Sequence, residues 1–191
     1  MPRTLGLLLA AGSGTRMGRP KALIEGPDGT PWVVSSARVL RDGGCDPIVV
    51  VVGAEVESVR AVLNAEPVRI VDSPDWPEGM GASLRAGVRA IAGDEADAAL
   101  IHLVDLPDVG AEVVRRIAAL ATPDVLARAD YGHGPGHPVL IGREHWSGVV
   151  DTASADRGAR GYLAVHDVTP VDCSDLAVGV DVDEPGPMLG R

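Results

Sequence analysis

The sequence predicts a three-layer α/β/α, Rossmann-like domain whose central sheet is mostly parallel. Short apolar runs rich in Val, Leu and Ile alternate with longer segments whose apolar residues recur at helical spacing. The length of 191 residues suits one unit with a sizeable core. No repeat, low-complexity segment or linker interrupts the pattern, which predicts a single domain over residues 1–191.

The first half of the chain is predicted to contain four buried strands separated by helices. The strands are expected at 5–10, 48–53, 68–72 and 99–105. Thr30 and Pro31 are expected to open the first helix as its N-cap and N1 residues, and Gly43 to end it. Val56, Val59 and Leu63 fall at helical spacing within 55–65. Another helix is predicted to begin at 79–83.

The second half is less regular. Asp108 is predicted to cap a helix whose inner stripe consists of Val113, Val114, Ile117 and Leu120. A turn rich in glycine and proline follows at 131–138, with a strand after it. A short helix near 156–163 and two late strands, near 168–171 and 178–182, complete the predicted elements.

Composition limits the possible partners and compartment. The net charge of −10 argues against a nucleic-acid partner bound through its phosphates. Cys45 and Cys173 lie far apart and have no metal-binding or redox spacing, so two reduced thiols are expected, with a disulfide as the alternative. The apolar N-terminal run mimics a signal peptide but is short and leads into a glycine loop. No stretch approaches the ~20 apolar residues of a membrane-spanning helix. We therefore expect a soluble, cytoplasmic protein without a membrane partner.

The glycine loop after the first predicted strand carries the strongest functional signal. Residues 5–23 read LGLLLAAGSGTRMGRPKAL. Glycines let backbone N–H groups approach an anion closely, and this loop has them at Gly12, Gly14 and Gly18. Arg16 and Lys21 add cationic donors. A strand, a glycine loop and cations together predict a nucleoside triphosphate site, whereas the plain structural alternative is a basic turn after a core strand.

Two common phosphate-binding motifs fail on spacing. The dinucleotide fingerprint G-x-G-x-x-G is excluded because its third glycine, Gly18, falls one place late. The P-loop is excluded because Pro20, not Gly, precedes Lys21. The string L-A-A-G-x-G-x-R-M-G-x-x-K instead resembles the signature of the sugar-nucleotidyltransferase-like superfamily. The resemblance implies the nucleotide-diphospho-sugar transferase type of fold.

The resemblance also implies roles for residues of the loop and of the fourth strand. Backbone groups of Leu9, Ala10, Ala11 and Gly12 would read the base edge. Gly14, Arg16 and Lys21 would bind the phosphates, with Arg16 and Lys21 also stabilising the charge that develops during the reaction. Asp105, followed by x-Pro, would carry Mg²⁺, which prefers carboxylates, phosphate oxygens and water. Leu106 stands where the family usually has Gln or Met.

A second carboxylate for the metal is implied near the C-terminus. Asp181 and Asp183 in VDVDEP resemble a late D-x-D-x-P element, and alternation would point both to one side of a strand. Glu184 replaces the customary Thr, and Gly186 and Pro187 replace an acidic pair. An acidic, solvated terminus is the alternative. Which of the two aspartates would bind the metal stays open.

Further segments resemble molybdenum-cofactor cytidylyltransferases. In that branch the helix start containing Gly79 and Ser83 contacts ribose and base, and a helix N-terminus suits polar or anionic ligands. Arg85 is either a ligand residue or a solvent-facing helix residue. The elements G-x-G-H-P-V and D-R-G-A-R-G imply that His137 and Arg157 face the arriving acceptor phosphate. His133 is expected to be exposed, and His102 has no partner at metal-ligand spacing.

The implied reaction is Mg²⁺-dependent transfer of a nucleoside monophosphate from an NTP to a phosphorylated acceptor, such as molybdopterin, with release of pyrophosphate. Ala11 and Pro20 favour CTP, because guanylyltransferase relatives tend to have Gly and Asp there. The alternatives are a guanylyl- or other nucleotidyltransferase with a different acceptor, or a nucleotide- or cofactor-binding module without turnover. A molybdoenzyme or cofactor-insertion protein is the partner that this resemblance implies.

Overall fold

A seven-stranded sheet forms the centre of the computed structural model, which describes residues 2–183. Its strands are β1 (Thr4–Ala10), β2 (Ile48–Val52), β3 (Val68–Asp72), β4 (Ala98–Leu103), β5 (Leu126–Asp130), β6 (Pro135–Gly142) and β7 (Thr169–Asp172). The α-helices of the described chain are α1 (Trp32–Asp42), α2 (Val56–Leu63), α3 (Met80–Ile91), α4 (Ala111–Ala118), α5 (Trp146–Thr152) and α6 (Arg160–Leu163).

The strand order is β3-β2-β1-β4-β6-β5-β7, and most neighbours run parallel. Only β6 is reversed, and it pairs antiparallel with both β4 and β5. β1 and β2 are buried along their whole length, as expected for central strands covered on both faces. The predicted fold class, a mostly parallel α/β/α sheet, is confirmed.

Two apolar cores lie on opposite faces of the sheet. Successive side chains of β1 point to opposite faces of the sheet, so Leu8 belongs to one core and Leu7 to the other. Helices α1, α2 and α4 cover the first face, and α3, α5 and α6 cover the second. This division makes the three layers.

Two predicted helix starts are wrong, by one residue and by two. α1 begins at Trp32 with Pro31 before it, and Thr30 hydrogen-bonds to Asp28 instead of capping the helix. α4 begins at Ala111 after Gly110. Asp108 does not cap the helix. Its carboxylate accepts hydrogen bonds from the backbone N–H groups of residues 178 and 179, at 2.8 and 2.9 Å, and so anchors the late segment.

Elements of the second half account for the remaining differences. Leu120 lies beyond α4 and is 41% exposed, so it does not belong to the inner stripe. Residues 178–182 form no strand; instead, the backbone N–H of Val182 donates to the carbonyl of Asp105 at 3.0 Å. Strand β5 and helix α5 lie outside the predicted elements. The sequence of β5, LARAD, has no apolar run, and α5 spans only seven residues, too few for a helical repeat of apolar residues.

Both cysteines are buried, and neither forms a disulfide. Burial raises the pKa of the Cys45 thiol to about 12, which makes it unreactive. Among residues 2–183, no helix is both long enough and apolar enough to cross a bilayer. Glu184, Gly186 and Pro187 lie outside the described residues.

A fully buried histidine on β4 makes the fold sensitive to acid. His102 pairs with Leu8 of β1, and neither of its ring nitrogens has a hydrogen-bond partner within the described chain. Burial, and secondarily the nearby His137, lowers the pKa of His102 to about 3. The folded pKa lies below the unfolded value, so the unfolded state binds the proton first. Stability is therefore lost as the pH falls below 6.5 towards 3.

His102→Leu is expected to remove this loss. Between pH 7 and pH 4.5 the free energy of unfolding of the wild type should fall by about 2.5 kcal/mol more than that of the variant, from linkage over roughly two pH units. Urea unfolding at both pH values measures the difference. His133→Gln, which alters an exposed histidine, serves as the control. Equal acid sensitivity of His102→Leu and the wild type would contradict this account.

Candidate active site

The predicted site residues meet at one edge of the sheet. β1, β2, β3 and β4 run parallel, so their carboxyl ends share that edge, where α/β folds place their ligands. A cavity of about 330 Å³ opens there. The predicted nucleotide-binding residues that line it are Leu9, Ala11, Gly12, Gly14, Lys21, Gly79 and Ser83. Ala10 is the last residue of β1, directly before this group.

The glycine loop turns back on itself before reaching Lys21. Gly14 and Gly18 flank a single helical turn at Thr15–Met17, and both have left-handed backbone angles, with φ of 59° and 71°. A Cβ at Gly14 would collide with the backbone carbonyl of Arg19, whereas a Cβ at Gly18 would meet nothing within 4 Å. The close approach at Gly14 folds the loop so that Lys21 points towards the end of β4.

Lys21 joins two carboxylates that are distant in the sequence. Its Nζ lies 2.8 Å from Asp105 Oδ2 and 2.6 Å from Asp183 Oδ1. Arg16 Nη1 reaches the other oxygen of Asp183 at 2.7 Å. Burial alone would lower the pKa of Lys21, but the hydrogen bonds and charges of the two carboxylates outweigh it, and the pKa is raised. The hydrogen bond from Lys21 likewise lowers the pKa of Asp183.

Three carboxylates form a cluster that could hold a divalent cation. One oxygen from each of Asp105, Asp181 and Asp183 lies within 4.8 Å of the others. Asp105 Oδ1 is buried and has no hydrogen-bond partner among residues 2–183, which leaves an acceptor for a further ligand. Oxygen donors in this arrangement suit Mg²⁺ or Mn²⁺. The structure thus brings both late aspartates to Asp105, although no strand carries them.

Helix α3 contributes a close backbone approach at its start. Gly79 has a φ of 112° and lies directly before the helix, and Gly79, Met80 and Ser83 line the first cavity. A Cβ at Gly79 would collide with the backbone of Ala155, so glycine lets the 154–157 segment come near the site. Arg85 is neither solvent-facing nor in the cavity lining. Its guanidinium donates to the carbonyl of Ala153 at 2.7 Å and to Glu78 at 2.9 Å, which gives it a structural role.

A second cavity of about 390 Å³ adjoins the first and contains both predicted acceptor-binding residues, His137 and Arg157. Asp105, Leu103 and Met80 line both cavities. His137 reaches this edge because β6 is antiparallel, which places the start of β6 beside the carboxyl ends of its neighbours. Asp181 and Leu106 line the second cavity as well. Exposed His133 also lines it, and its Nε2 lies 2.7 Å from the carbonyl of Val178.

Two arginines of the second cavity are not among the predicted site residues. Arg128 lies on the unpredicted β5, and Arg160 is the first residue of α6. Arg160 is part of the D-R-G-A-R-G run, but nothing in the spacing of that run indicates a binding role for it. Arg128 lies between two alanines whose full burial only the structure shows, so the sequence carries no signal for it.

The fold and this arrangement of loop, cations and carboxylates define a nucleotidyltransferase. The chain belongs to the family with the MobA-like NTP transferase domain, whose model matches residues 6–171. It is 38% identical to nicotine blue oxidoreductase of Paenarthrobacter nicotinovorans, over 96% of this chain and 93% of that protein. It is 33% identical to the molybdenum cofactor guanylyltransferase of Rhodobacter capsulatus, over 76% of this chain and 66% of that one.

Solved structures agree with the fold. A nucleotidyl transferase from Methanothermobacter thermautotroptrophicus superposes with a TM-score of 0.82 at 23% identity, covering 95% of this chain and 92% of that chain. Rv0371c from Mycobacterium tuberculosis H37Rv gives 0.81 at 27% identity, covering 96% and 94%. A complex of Rv0371c with manganese gives 0.75 at 24% identity, covering 94% of each chain.

The two glycines of the loop provide a test of its geometry. Ala at either position costs about 1–2 kcal/mol, because an L-residue is strained in the left-handed region. Gly14→Ala adds the collision with the Arg19 carbonyl and should therefore lower the free energy of unfolding by more than Gly18→Ala does. Urea denaturation of both variants measures the difference. Equal destabilisation would show that the close approach at Gly14 is unimportant.

Proposed function

We propose that the protein is a Mg²⁺-dependent nucleotidyltransferase that moves a nucleoside monophosphate, with CMP favoured, to the phosphate of a small-molecule acceptor such as molybdopterin. The observation that carries this proposal is the cluster of Lys21, Asp105 and Asp183 at the junction of the two cavities. One cavity is next to the glycine loop, and the other contains basic side chains. A donor and an acceptor could therefore approach the same carboxylates from two sides.

Nucleotide binding would use the backbone more than side chains. The end of β1 and the following residues, 9–12, offer main-chain groups to the base edge, with Ser83 facing them across the first cavity. The loop around Gly14 would receive the phosphates. Arg16 and Lys21 would then bind phosphate oxygens, Arg16 through its planar fork and Lys21 as a compact charge.

The proposed reaction is a displacement at the α-phosphorus. An oxygen of the acceptor phosphate forms a bond to that phosphorus, while the bond to the oxygen bridging to the β-phosphorus breaks, and pyrophosphate leaves with the electron pair. A phosphate dianion needs no general base. Asp105 with Asp181 or Asp183 would hold the metal, which when bound supplies electrostatic stabilisation of the phosphates. Lys21 and Arg16 would stabilise the charge on the departing pyrophosphate.

Lys21 has two competing sets of partners in this proposal. Without nucleotide it neutralises Asp105 and Asp183, the same carboxylates that a cation would use. A triphosphate would attract Lys21 away from them and release their oxygens. Nucleotide and metal should therefore bind cooperatively, because each removes an obstacle to the other.

Replacing Lys21 by Met tests this competition without measuring turnover. In the absence of nucleotide, Lys21→Met should bind Mn²⁺ several-fold more tightly than the wild type, because the ammonium no longer competes for the carboxylates. Its affinity for an NTP should fall. Arg19→Met is the matched control, since Arg19 is an exposed cation of the same loop without a carboxylate within 4.0 Å in the described chain. Weaker Mn²⁺ binding by Lys21→Met would contradict the competition.

Nucleotide choice is tested by thermal stabilisation with CTP, GTP, ATP and UTP, each with Mg²⁺, and separately with NADH. A ligand at 100 times its Kd adds about 2.7 kcal/mol, which is visible as a shift in melting temperature. CTP is expected to give the largest shift in the wild type and little in Lys21→Ala. A shift with GTP alone would move the assignment to a guanylyltransferase. No shift with any NTP would end the transferase proposal.

NADH is included among the tested ligands because one observation favours a second candidate function, that of an oxidoreductase. The relative with 38% identity over nearly the whole chain bears the name of an oxidoreductase. Stabilisation by NADH and by none of the triphosphates would support a redox function for this chain. Pyrophosphate release on mixing an NTP with a phosphorylated acceptor would show that the protein is a transferase and not a binding module without turnover.

A further inference from the structure

The late segment, residues 178–183, brings Asp181 and Asp183 to the carboxylate cluster without belonging to a helix or strand. Its backbone N–H groups are hydrogen-bonded near both ends, to the carboxylate of Asp108 and to the carbonyl of Asp105. Loop residues of a binding site depend on a rigid scaffold for their positions. The positions of the two late aspartates therefore depend on what the middle of the segment packs against.

The ring of Tyr131 supports the middle of the late segment at Gly179. Tyr131 lies directly after β5, is 5% exposed, and belongs to the core that α1, α2 and α4 cover. A Cβ at Gly179 would collide with the Tyr131 ring, so the backbone of the segment contacts the ring directly. Gly179 also has a left-handed φ of 67°, which glycine adopts without strain. This contact lies two residues before Asp181 and four before Asp183.

The start of β6 holds Tyr131 in place. The Tyr131 hydroxyl donates a hydrogen bond to the carbonyl of His137 at 2.7 Å. A Cβ at Gly136 would lie 2.8 Å from the ring, so the backbone of β6 also approaches it closely. Burial raises the pKa of Tyr131, so the hydroxyl stays protonated and remains a donor at neutral pH. Moving the ring would break this hydrogen bond, which makes Tyr131 a firm support.

His133 adds a second contact from the same turn. Its ring stacks with that of Tyr131, with the ring centroids 6.2 Å apart. Its Nε2 lies 2.7 Å from the carbonyl of Val178, and because a carbonyl can only accept, Nε2 carries the hydrogen. The turn after β5 thus contacts two successive residues of the late segment.

We propose that Tyr131 is a positioning residue for the divalent cation, because its ring sets the path along which Asp181 and Asp183 reach Asp105. This inference rests on the proposed function, since it concerns the metal of the same site. The carboxylates are the ligands, and Tyr131 acts on them through the backbone at Gly179. Such supports strengthen metal binding, because a carboxylate already in place loses less conformational entropy when it binds.

Mn²⁺ alone is the probe, and electron paramagnetic resonance measures its affinity for the folded protein without nucleotide. Gly179→Ala is expected to weaken Mn²⁺ binding about tenfold, the lower end of the effect seen when a support of a metal ligand is lost. The added methyl group meets the Tyr131 ring and displaces the segment. Gly29→Ala is the matched control and should bind Mn²⁺ as the wild type does. Gly29 has a similar φ of 78°, but a Cβ there would meet nothing within 4 Å.

Two substitutions of Tyr131 test its ring and its hydroxyl separately. Tyr131→Phe keeps the ring and should keep most of the Mn²⁺ affinity, whereas Tyr131→Leu should lose about as much as Gly179→Ala. The two losses should not add in the double variant, because both act through the same contact. Gly179 lies outside the helices and strands, so Gly179→Ala provides a folded variant even if Tyr131→Leu does not fold.

The outcomes separate positioning from a purely structural role, and this inference from the proposed function. A purely structural role would lower the free energy of unfolding of Gly179→Ala and leave its Mn²⁺ affinity unchanged. That result, or an equal loss of affinity in Gly29→Ala or Tyr131→Phe, would overturn the inference alone. No Mn²⁺ binding by the wild type would overturn both the inference and the metal dependence of the proposed function.

Discussion

The ion pairs of Lys21 with Asp105 and Asp183 hold the site together. They connect the glycine loop, the end of β4 and the late segment, which are separated by 84 and 162 residues in the chain. Three carboxylates with oxygens this close repel one another strongly unless a cation lies among them. In the described chain Lys21 and Arg16 supply that positive charge. Lys21 thus adds a charged contact to the hydrogen bonds through which Asp108 and the Asp105 carbonyl already hold the late segment.

One reversed strand explains why two cavities adjoin this cluster. The parallel strands β1 to β4 bring the glycine loop and Asp105 to the sheet edge, in the way usual for α/β folds. Antiparallel β6 brings its beginning, with His137, to the same edge. The parallel part of the sheet thus serves one cavity, and the region around β6 and β5 serves the other, with Asp105 common to both.

The similarity to relatives named for a transferase and for an oxidoreductase agrees with a general property of such folds. The scaffold fixes where ligands bind, and the side chains around the cavities decide the chemistry. In this chain the first cavity has the loop and cations suited to a triphosphate. The second cavity has a different lining, which includes Arg128, Arg157 and Arg160.

The sequence by itself determined the fold class, the strands β1 to β4 and the glycine loop. Those features depend on local patterns, such as buried apolar runs and glycines at fixed spacing, which act within a few residues. Only the tertiary structure decided the remainder. Asp108 anchors the late segment, Asp181 and Asp183 approach Asp105 without a strand, and Arg128 faces the second cavity. These arrangements arise from contacts across the sheet and between distant segments, for which local spacing carries no signal.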